Sequence, residues 1–499
     1  MIVKPLRPQP PRPVSLLVPG YKTLAAFTPD GIRRANGRQR CWDLLKQLED
    51  HVLYVGGSVK PLLYTTGATA WTGDVWRGRA TTLHLYGTRV KVTSLRRCFE
   101  GIPVDFQYDG LIEVTEALAD QGVRAGSISS MAWSLWRSTL SSPVELASPP
   151  KLGRAALYGG RQESVGPTKF DEPFVAIDLK RAYPNSMAAR PYAGVLREVS
   201  PTTELDPDVA GVAQATVYTP SDLDHPFACL PTRVGPEMIQ WQWGETTGTW
   251  PWVELVAARD LGCRVEVTKC WAPLTTLDLF TDWYRLLIRL EERVPGGGRL
   301  LKSIANSLWG IFALNGDDRG TVTWSDDQGY RPEVVPGARR KLPHARSAHV
   351  AAETTARVRV RMLREALYGG IGEPVHIDTD GYLIKATSAD HVLTSVGING
   401  EWTRKTEMRV LEIRGPQLYR YLCGEGCGVF HPKWHVVASG IPHNQAHDFF
   451  ERTEGRLHLP MTGFDVALPT GHPLDIEQVR RYRSLINTQR VMAFGEVLA

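Results

Sequence analysis

The sequence predicts a mixed α/β fold divided among several domains, and three observations support this. The chain has 499 residues, enough for roughly two to four domains. Apolar residues recur with the strand period in some segments and the helix period in others, and the two kinds interleave along the chain. There is no internal repeat and no long low-complexity tract, so the chain is not a solenoid or an array. Hydrophobic residues make up 42% and charged residues 22%, as in ordinary folded soluble proteins. No apolar run approaches the length of a membrane span, so no membrane partner is expected.

The elements follow in order. "CWDLLKQLEDHVLYV" reads as a helix running into a strand, and "TTLHLYGTRVKVTSL" alternates like a hairpin. "ALYGGRQE" turns on two glycines, and "EPFVAIDLKRAYPNSM" is an apolar strand ending in an aspartate before a turn. Residues 205–275 read as loop-rich, with strands such as "GVAQATVYT" and "RVEVTKCW". "TDWYRLLIRLEER", "VPGGG" and "RLLKSIANSLWG" make a helical hairpin with a tight loop. "GTVTWSDDQGYRPEVVPGARRKLPHA" is polar and turn-rich, "HVAAETTARVRVRMLREAL" is a long helix, and "PVHIDTDGYLIKA" is strand–turn–strand.

A net charge of +5 permits a polyanionic partner without requiring one. Seven scattered cysteines suit a reducing cytoplasm. The N-terminus has no secretory leader pattern, and its Pro/Arg-rich arm reads as a disordered tail rather than an SH3-type ligand. "CGEGCGVFHPKWH" brings Cys423, Cys427, His431 and His435 close together. Finger-type zinc sites usually leave about a dozen residues between ligand pairs. Here three intervene, which favours a strand–turn–strand with incidental Cys and His.

Two places carry chemistry. In "LLKSIANSLWGIFALNG", helical spacing puts Lys302, Asn306 and Trp309 on one face, while Leu301, Ile304, Ala305 and Leu308 bury the other. In the preceding helix Arg285, Arg289 and Arg293 share a face opposite the apolar stripe of Trp283, Leu287, Leu290 and Val294. The second place is acidic: Asp178 at a strand end, and Asp378 and Asp380 in the turn of "VHIDTDGYLI". An Asp-Gly pair alone is an ordinary hairpin turn. An EF-hand loop is excluded, because His376 and Thr387 would fall at its first and last ligand positions. Carboxylates crowded at the rim of a buried sheet repel one another unless cations neutralise them, and hard oxygen ligands favour Mg²⁺.

Together these segments resemble the family B DNA polymerases. "DLKRAYPNS" (178–186) is similar to motif A, D-x-x-S-L-Y-P-S; "KSIANSLWG" (302–310) to motif B, K-x3-N-S-x-Y-G; and "HIDTDG" (376–381) to motif C, Y-x-D-T-D-S. "LYGGR" (157–161) resembles the Y-x-G-G segment of the protein-primed branch, and "GEWTRKTEMRVLEIRGPQLYRY" with "HVVASGIP" resembles the surroundings of K-x-Y. The five segments lie in the family's order across about 155–442.

The resemblance implies a right-hand fold with palm, fingers and thumb behind a degenerate, RNase H-like exonuclease domain. Its divisions would be 1–150 (exonuclease-like), 151–281 (first palm part, with an insertion at about 200–280), 282–312 (fingers), 313–345 (a second insertion), 346–415 (second palm part) and 416–499 (thumb and C-terminal region). It implies two Mg²⁺ ions, with Mn²⁺ as a substitute, held by Asp178, Asp380 and Asp378 with the backbone carbonyl of Leu179. Lys302, Asn306 and Arg289 would contact the dNTP, and Tyr183 would be the gate that excludes a ribose hydroxyl. Trp309, Gln417 and Tyr419 would contact DNA. The implied partners are primer-template DNA, dNTPs and a terminal priming protein, and the implied setting is a monomer in a bacterial or phage-infected cytoplasm. The insertions would bind that priming protein and encircle DNA, and "GARRKLPHAR" suits phosphate contact.

The departures are informative. Arg181 and Ala182 replace Ser-Leu in motif A, Trp309 replaces Tyr, and Gly381 replaces Ser. Gln417 stands where K-x-Y has Lys, and Ser439 replaces another lysine, which leaves Lys433 and Arg420 as nearby substitutes. Residues 1–150 contain none of the proofreading motifs; Asp43, Asp74, Asp105 and Asp109 fit no such pattern. Two alternatives to an ordinary primed polymerase stand: a catalytically silent nucleic-acid-binding relative, and a primer-independent polymerase.

Overall fold

The computed structural model describes residues 2–457 apart from 56–61, 73–79, 234–238, 314–319, 326–330, 337–346, 390–401, 424–433, 439–449, 451–455 and some shorter stretches, and describes 474–475 beyond them. The chain forms two compact units, residues 1–146 with 278–345 and residues 147–277 with 346–499.

The first unit is built on a seven-stranded sheet. Its order is Gly31–Asn36, Thr23–Thr28, Val14–Pro19, Val52–Val55, Thr88–Ser94, Ala80–Leu85, Ala70–Thr72. The first three form an antiparallel meander; the chain then crosses through the helix Arg38–Gln47 and returns with Val52–Val55 parallel to Val14–Pro19. Thr88–Ser94 adds in parallel. Three antiparallel strands followed by parallel returns make the expected RNase H-like arrangement. The expected helix buries Cys41, Trp42, Leu44 and Leu45 among Leu17, Leu53 and Val92. A cleft of about 920 Å³ beside this helix is lined by Arg33, Arg34 and Arg40 together with Asp43 and Gln47.

The N-terminal arm differs from the disordered tail expected. Ile2–Val3 pairs with Val144–Glu145, Leu6 N–H donates to the Arg137 carbonyl, and the Arg137 guanidinium binds the carbonyls of Lys4 and Pro5. A proline-rich segment has few N–H donors, and here one arginine satisfies its carbonyls.

The helical hairpin is as expected: Thr281–Arg293, a short 3-10 turn Pro295–Gly297, then Gly298–Ala313. Gly297 is required because a Cβ there would lie 2.1 Å from a Val114 methyl. Trp136 donates its indole N–H to the Leu279 carbonyl and packs 5.2 Å from Phe312 and 5.8 Å from Phe280, so these helices share an aromatic core. The segment expected to be a polar loop contains a hairpin, Gly320–Ser325 with Arg331–Pro336. Its β-branched runs "TVT" and "EVV" are short, and the turn residues around them masked the strand period.

The second unit holds an eight-stranded sheet. Seven strands run in the order Arg161–Ser164, His376–Thr379, Gly381–Lys385, Phe174–Leu179, Trp402–Gly415, Leu418–Cys423, Trp434–Ala438, and Thr168–Phe170 pairs with Trp402–Gly415. Residues 205–275 are more regular than expected. Val212–Thr219 lies between Gly244–Pro251 and Arg264–Pro273, with Leu196–Val199 at the edge, and Trp252–Asp260 is a helix. That helix buries Trp252, Val253, Glu254, Leu255, Ala257 and Ala258, so it has no polar face to give a helical period.

The expected long helix, Ala348–Tyr368, is buried along most of its length, charged residues included. Arg359 makes two 2.8 Å bonds to Glu254 and donates to the carbonyls of Tyr158 and Gly159 at 2.7 and 2.8 Å. Arg357 pairs with Glu353 and donates to the carbonyls of Ser186, Arg190 and Pro191. Both guanidiniums are thus fully partnered, which makes their burial tolerable. Through them the helix anchors the glycine turn of "LYGGR" and the segment that follows motif A.

Candidate active site

The acidic positions converge at one end of the eight-stranded sheet. Phe174–Leu179 and His376–Thr379 both pair with Gly381–Lys385, and Gly381 is registered opposite both Asp178 and Asp378. Between Asp378 and Asp380 the backbone tightens: Asp380 N–H donates to the Asp378 carbonyl at 2.6 Å, and Leu179 N–H to the Asp380 carbonyl at 2.7 Å. Leu179 therefore ties motif A to motif C through its amide. Gly381 has no room for a side chain, since a Cβ would lie 2.5 Å from a carboxylate oxygen of Asp178. A serine, as in the motif C that this segment resembles, would collide there.

Three of the four described non-glycine residues with left-handed backbone surround this end: Arg181 (φ 53°), Thr379 (φ 61°) and Gln417 (φ 51°). Such conformations cost free energy and persist where surrounding contacts enforce them. The enforcing contacts are visible at Thr379. Its side chain lies against Gly160, where a Cβ would be 2.6 Å from the Thr379 methyl, and Arg161 is registered opposite it. This gives the second glycine of "LYGGR" a packing role under the Asp378–Asp380 turn.

Each carboxylate whose partners are defined already has donors. Asp178, half-exposed, is 3.4 Å from the Lys405 ammonium. Oδ1 of Asp378 accepts from Gln417 Nε2 at 2.7 Å, Thr379 Oγ1 at 3.3 Å and Gln162 Nε2 at 3.4 Å. Beneath it His376 is fully buried with no hydrogen bond to either ring nitrogen, 5.2 Å from the Tyr419 ring. Burial pushes the His376 pKa down to about 4, against a smaller opposing pull from Asp378, so the ring is neutral at physiological pH. Burial, reinforced by the two aspartates, raises the Tyr419 phenol.

Tyr183 lies on the short helix Ala182–Ala188, directly after the left-handed Arg181, and is buried. Arg420 is engaged by Glu412 at 2.6 Å and stacks 4.3 Å from Trp434, so it has its own partners.

The remaining expected residues belong to the first unit. On Gly298–Ala313, Lys302 and Asn306 are exposed and Trp309 is half-buried, opposite the buried Leu301, Ile304, Ala305 and Leu308. On Thr281–Arg293, Arg285 pairs with Asp282 and Arg293 with Asp120, while Arg289 has no ion-pair partner among the described residues. Asp74, Lys433, Ser439, Cys427, His431 and the basic stretch 337–346 lie outside the described residues. Cys423 is disulfide-bonded, and the His435 ring stacks on Tyr421.

Sequence reasoning missed Lys405, Gln162 and the bond from Gln417. Lys405 reaches Asp178 only because Trp402–Gly415 pairs antiparallel with Phe174–Leu179, with Thr403 opposite Asp178 and Lys405 at the register shift between the Arg404 and Thr406 pairings. The basic run "TRKTEMR" was its only sequence signal.

The donors fit a hard divalent cation in kind. They are carboxylate oxygens at a strand end that already draws an ammonium and several N–H and O–H groups. Among the described residues no three acidic, histidine or cysteine side chains are gathered to hold one cation as they stand.

Comparison with known proteins agrees with this geometry. Residues 124–338 match the family model of "DNA polymerase type B, organellar and viral". That match spans less than half of the chain. Among solved structures the chain is similar to phi29 DNA polymerase in its ternary complex with primer-template DNA and incoming nucleotides (TM-score 0.65, 12% identity, 88% of this chain and 94% of the other). It is also similar to the same enzyme in an orthorhombic crystal form (0.63, 11%, 87% and 94%) and complexed with single-stranded DNA (0.61, 13%, 88% and 94%). By sequence, no curated protein matches the chain.

Proposed function

We propose that the protein is a DNA-directed DNA polymerase that adds dNTPs to a primer 3′-hydroxyl. The observation that carries this is the strand end at which Gly381 is registered opposite both Asp178 and Asp378, with Asp380 next to it in the chain, within a fold like that of phi29 DNA polymerase. Asp178 and Asp380, with Asp378, would hold two Mg²⁺ ions, which supply charge neutralisation at the attacking and leaving oxygens when bound. The primer oxygen forms a bond to the α-phosphorus, the bond to the β-phosphate oxygen breaks, and pyrophosphate leaves. Lys302 and Arg289 would draw in the triphosphate, Asn306 would fix it, Tyr183 would exclude a ribose hydroxyl, and Trp309 and Tyr419 would contact DNA.

The finer reading is a polymerase without proofreading, primed by a terminal protein, acting as a monomer on phage or plasmid-like DNA in a bacterial cytoplasm. The resemblance of "LYGGR" to the protein-primed branch supports the priming mode. Five of the described cysteines are free and buried, which suits that compartment, whereas the disulfide at Cys423 does not. The absence of any acidic residue from the central strand "VSLLVP" supports the loss of proofreading.

Primer extension with Mg²⁺ tests the proposal. Incorporation of dNTPs on a primed template is expected, and none on any primed template would sink it. One observation favours the silent relative: Lys405 sits on Asp178 and no three carboxylates are pre-gathered among the described residues. The same assay decides between the two, and product from an unprimed circular template would instead indicate primer-independent synthesis.

A further inference from the structure

Gln417 stands in the hairpin turn between Trp402–Gly415 and Leu418–Cys423, at a left-handed φ of 51°. That turn delivers its amide to Asp378, and the 2.7 Å bond is the shortest of the three on Oδ1. Gln162 reaches the same oxygen from the strand registered opposite, so amides from two sides converge on one carboxylate oxygen. One N–H of the Gln417 amide is so used; its second N–H and its carbonyl remain, and neither carries a charge that would draw a phosphate. A neutral side chain also releases no counterion from DNA.

We propose that Gln417 is a positioning residue for Asp378, not a contact to the primer strand. Its amide fixes the carboxylate with Oδ1 occupied and presents Oδ2 as the oxygen free for a divalent cation. It does this without neutralising the carboxylate, as a lysine at the same place would, so the negative charge of Asp378 itself is kept for the cation. The strained backbone is the cost of bringing a neutral donor to this oxygen. This inference rests on the polymerase reading of the same site.

The test uses the full-length protein and two variants, with Mn²⁺ alone as the probe. Gln417→Asn tolerates left-handed backbone but is one methylene short of Asp378, and Gln417→Met keeps the length but cannot donate. Mn²⁺ binding followed by electron paramagnetic resonance should weaken about tenfold or more in both, as for other losses of a ligand-orienting hydrogen bond. Primer-template affinity should stay at the wild-type value, and kcat should fall with little change in dNTP KM. Unchanged Mn²⁺ affinity in either folded variant would overturn the proposal, as would a loss confined to primer-template binding. Circular dichroism establishes folding; should Gln417→Met not fold, Gln417→Asn alone decides. Failure of the polymerase reading itself is separate, because it appears as a wild-type protein that extends no primer.

Discussion

The two units each centre on a sheet with a buried apolar strand, and the two strands differ at their ends. In the first unit "VSLLVP" is buried over its first four residues, holds no acidic side chain, and its polar Ser15 bonds to His51 at 2.7 Å. In the second "FVAIDL" is equally buried but places Asp178 beside the turn that carries Asp378 and Asp380. The clefts differ in the same sense: the cleft of the first unit is lined by arginines, while the strand end of the second gathers carboxylates. Two sheets of different topology can therefore each bury an apolar strand, while two or three residues at the strand end set the chemistry that end could support.

The largest effect should come from removing that difference. Asp178→Asn and Asp380→Asn should each lower primer extension roughly a thousandfold, since lost cation binding removes several kcal/mol of transition-state stabilisation. Duplex binding, measured by gel shift, should persist, and near-normal turnover would remove these residues from the site.

Next is the scaffold behind the acidic end. Glu254→Ala leaves Arg359 charged and unpaired in the interior, and breaking such a buried pair costs about 3–5 kcal/mol. A urea melt should show the loss as a lower midpoint. A midpoint equal to wild type would mean that the helix Ala348–Tyr368 does not depend on this pair.

Gly381→Ser installs the serine of the motif C that this segment resembles, yet its Cβ would meet Asp178 at 2.5 Å. The displaced carboxylate should slow extension by about tenfold to a hundredfold, as small misplacements of reacting groups do. Wild-type rates would show that the strand end yields more than its packing indicates.

The smallest expected effect is none. The purified protein should leave a mismatched 3′ end intact in Mg²⁺ without nucleotides, and Asp43→Asn and Asp109→Asn should change nothing. Asp43 is exposed and pairs with Lys46 at 2.9 Å, which suits a surface helix better than a nuclease. Excision that vanishes in Asp109→Asn but survives in Asp178→Asn would make the first unit a live nuclease and erase the contrast between the sheets.

The sequence by itself determined the parts whose signal is local. Helix period exposed Lys302 and Asn306 opposite a buried stripe, strand period placed Asp178 at a strand end, and the Asp-Gly pair marked the turn, all of which depend on near neighbours in the chain. Only the tertiary structure decided what those residues meet. Lys405 and Asp178 are 227 positions apart in the chain and come together through strand register. Gln417 looked like a lost lysine until the hairpin turn brought its amide to Asp378. The helix Trp252–Asp260 and the docked N-terminal arm were invisible for the same reason: burial on every side erases periodicity, and a proline-rich segment is ordered only by the arginine that satisfies its carbonyls.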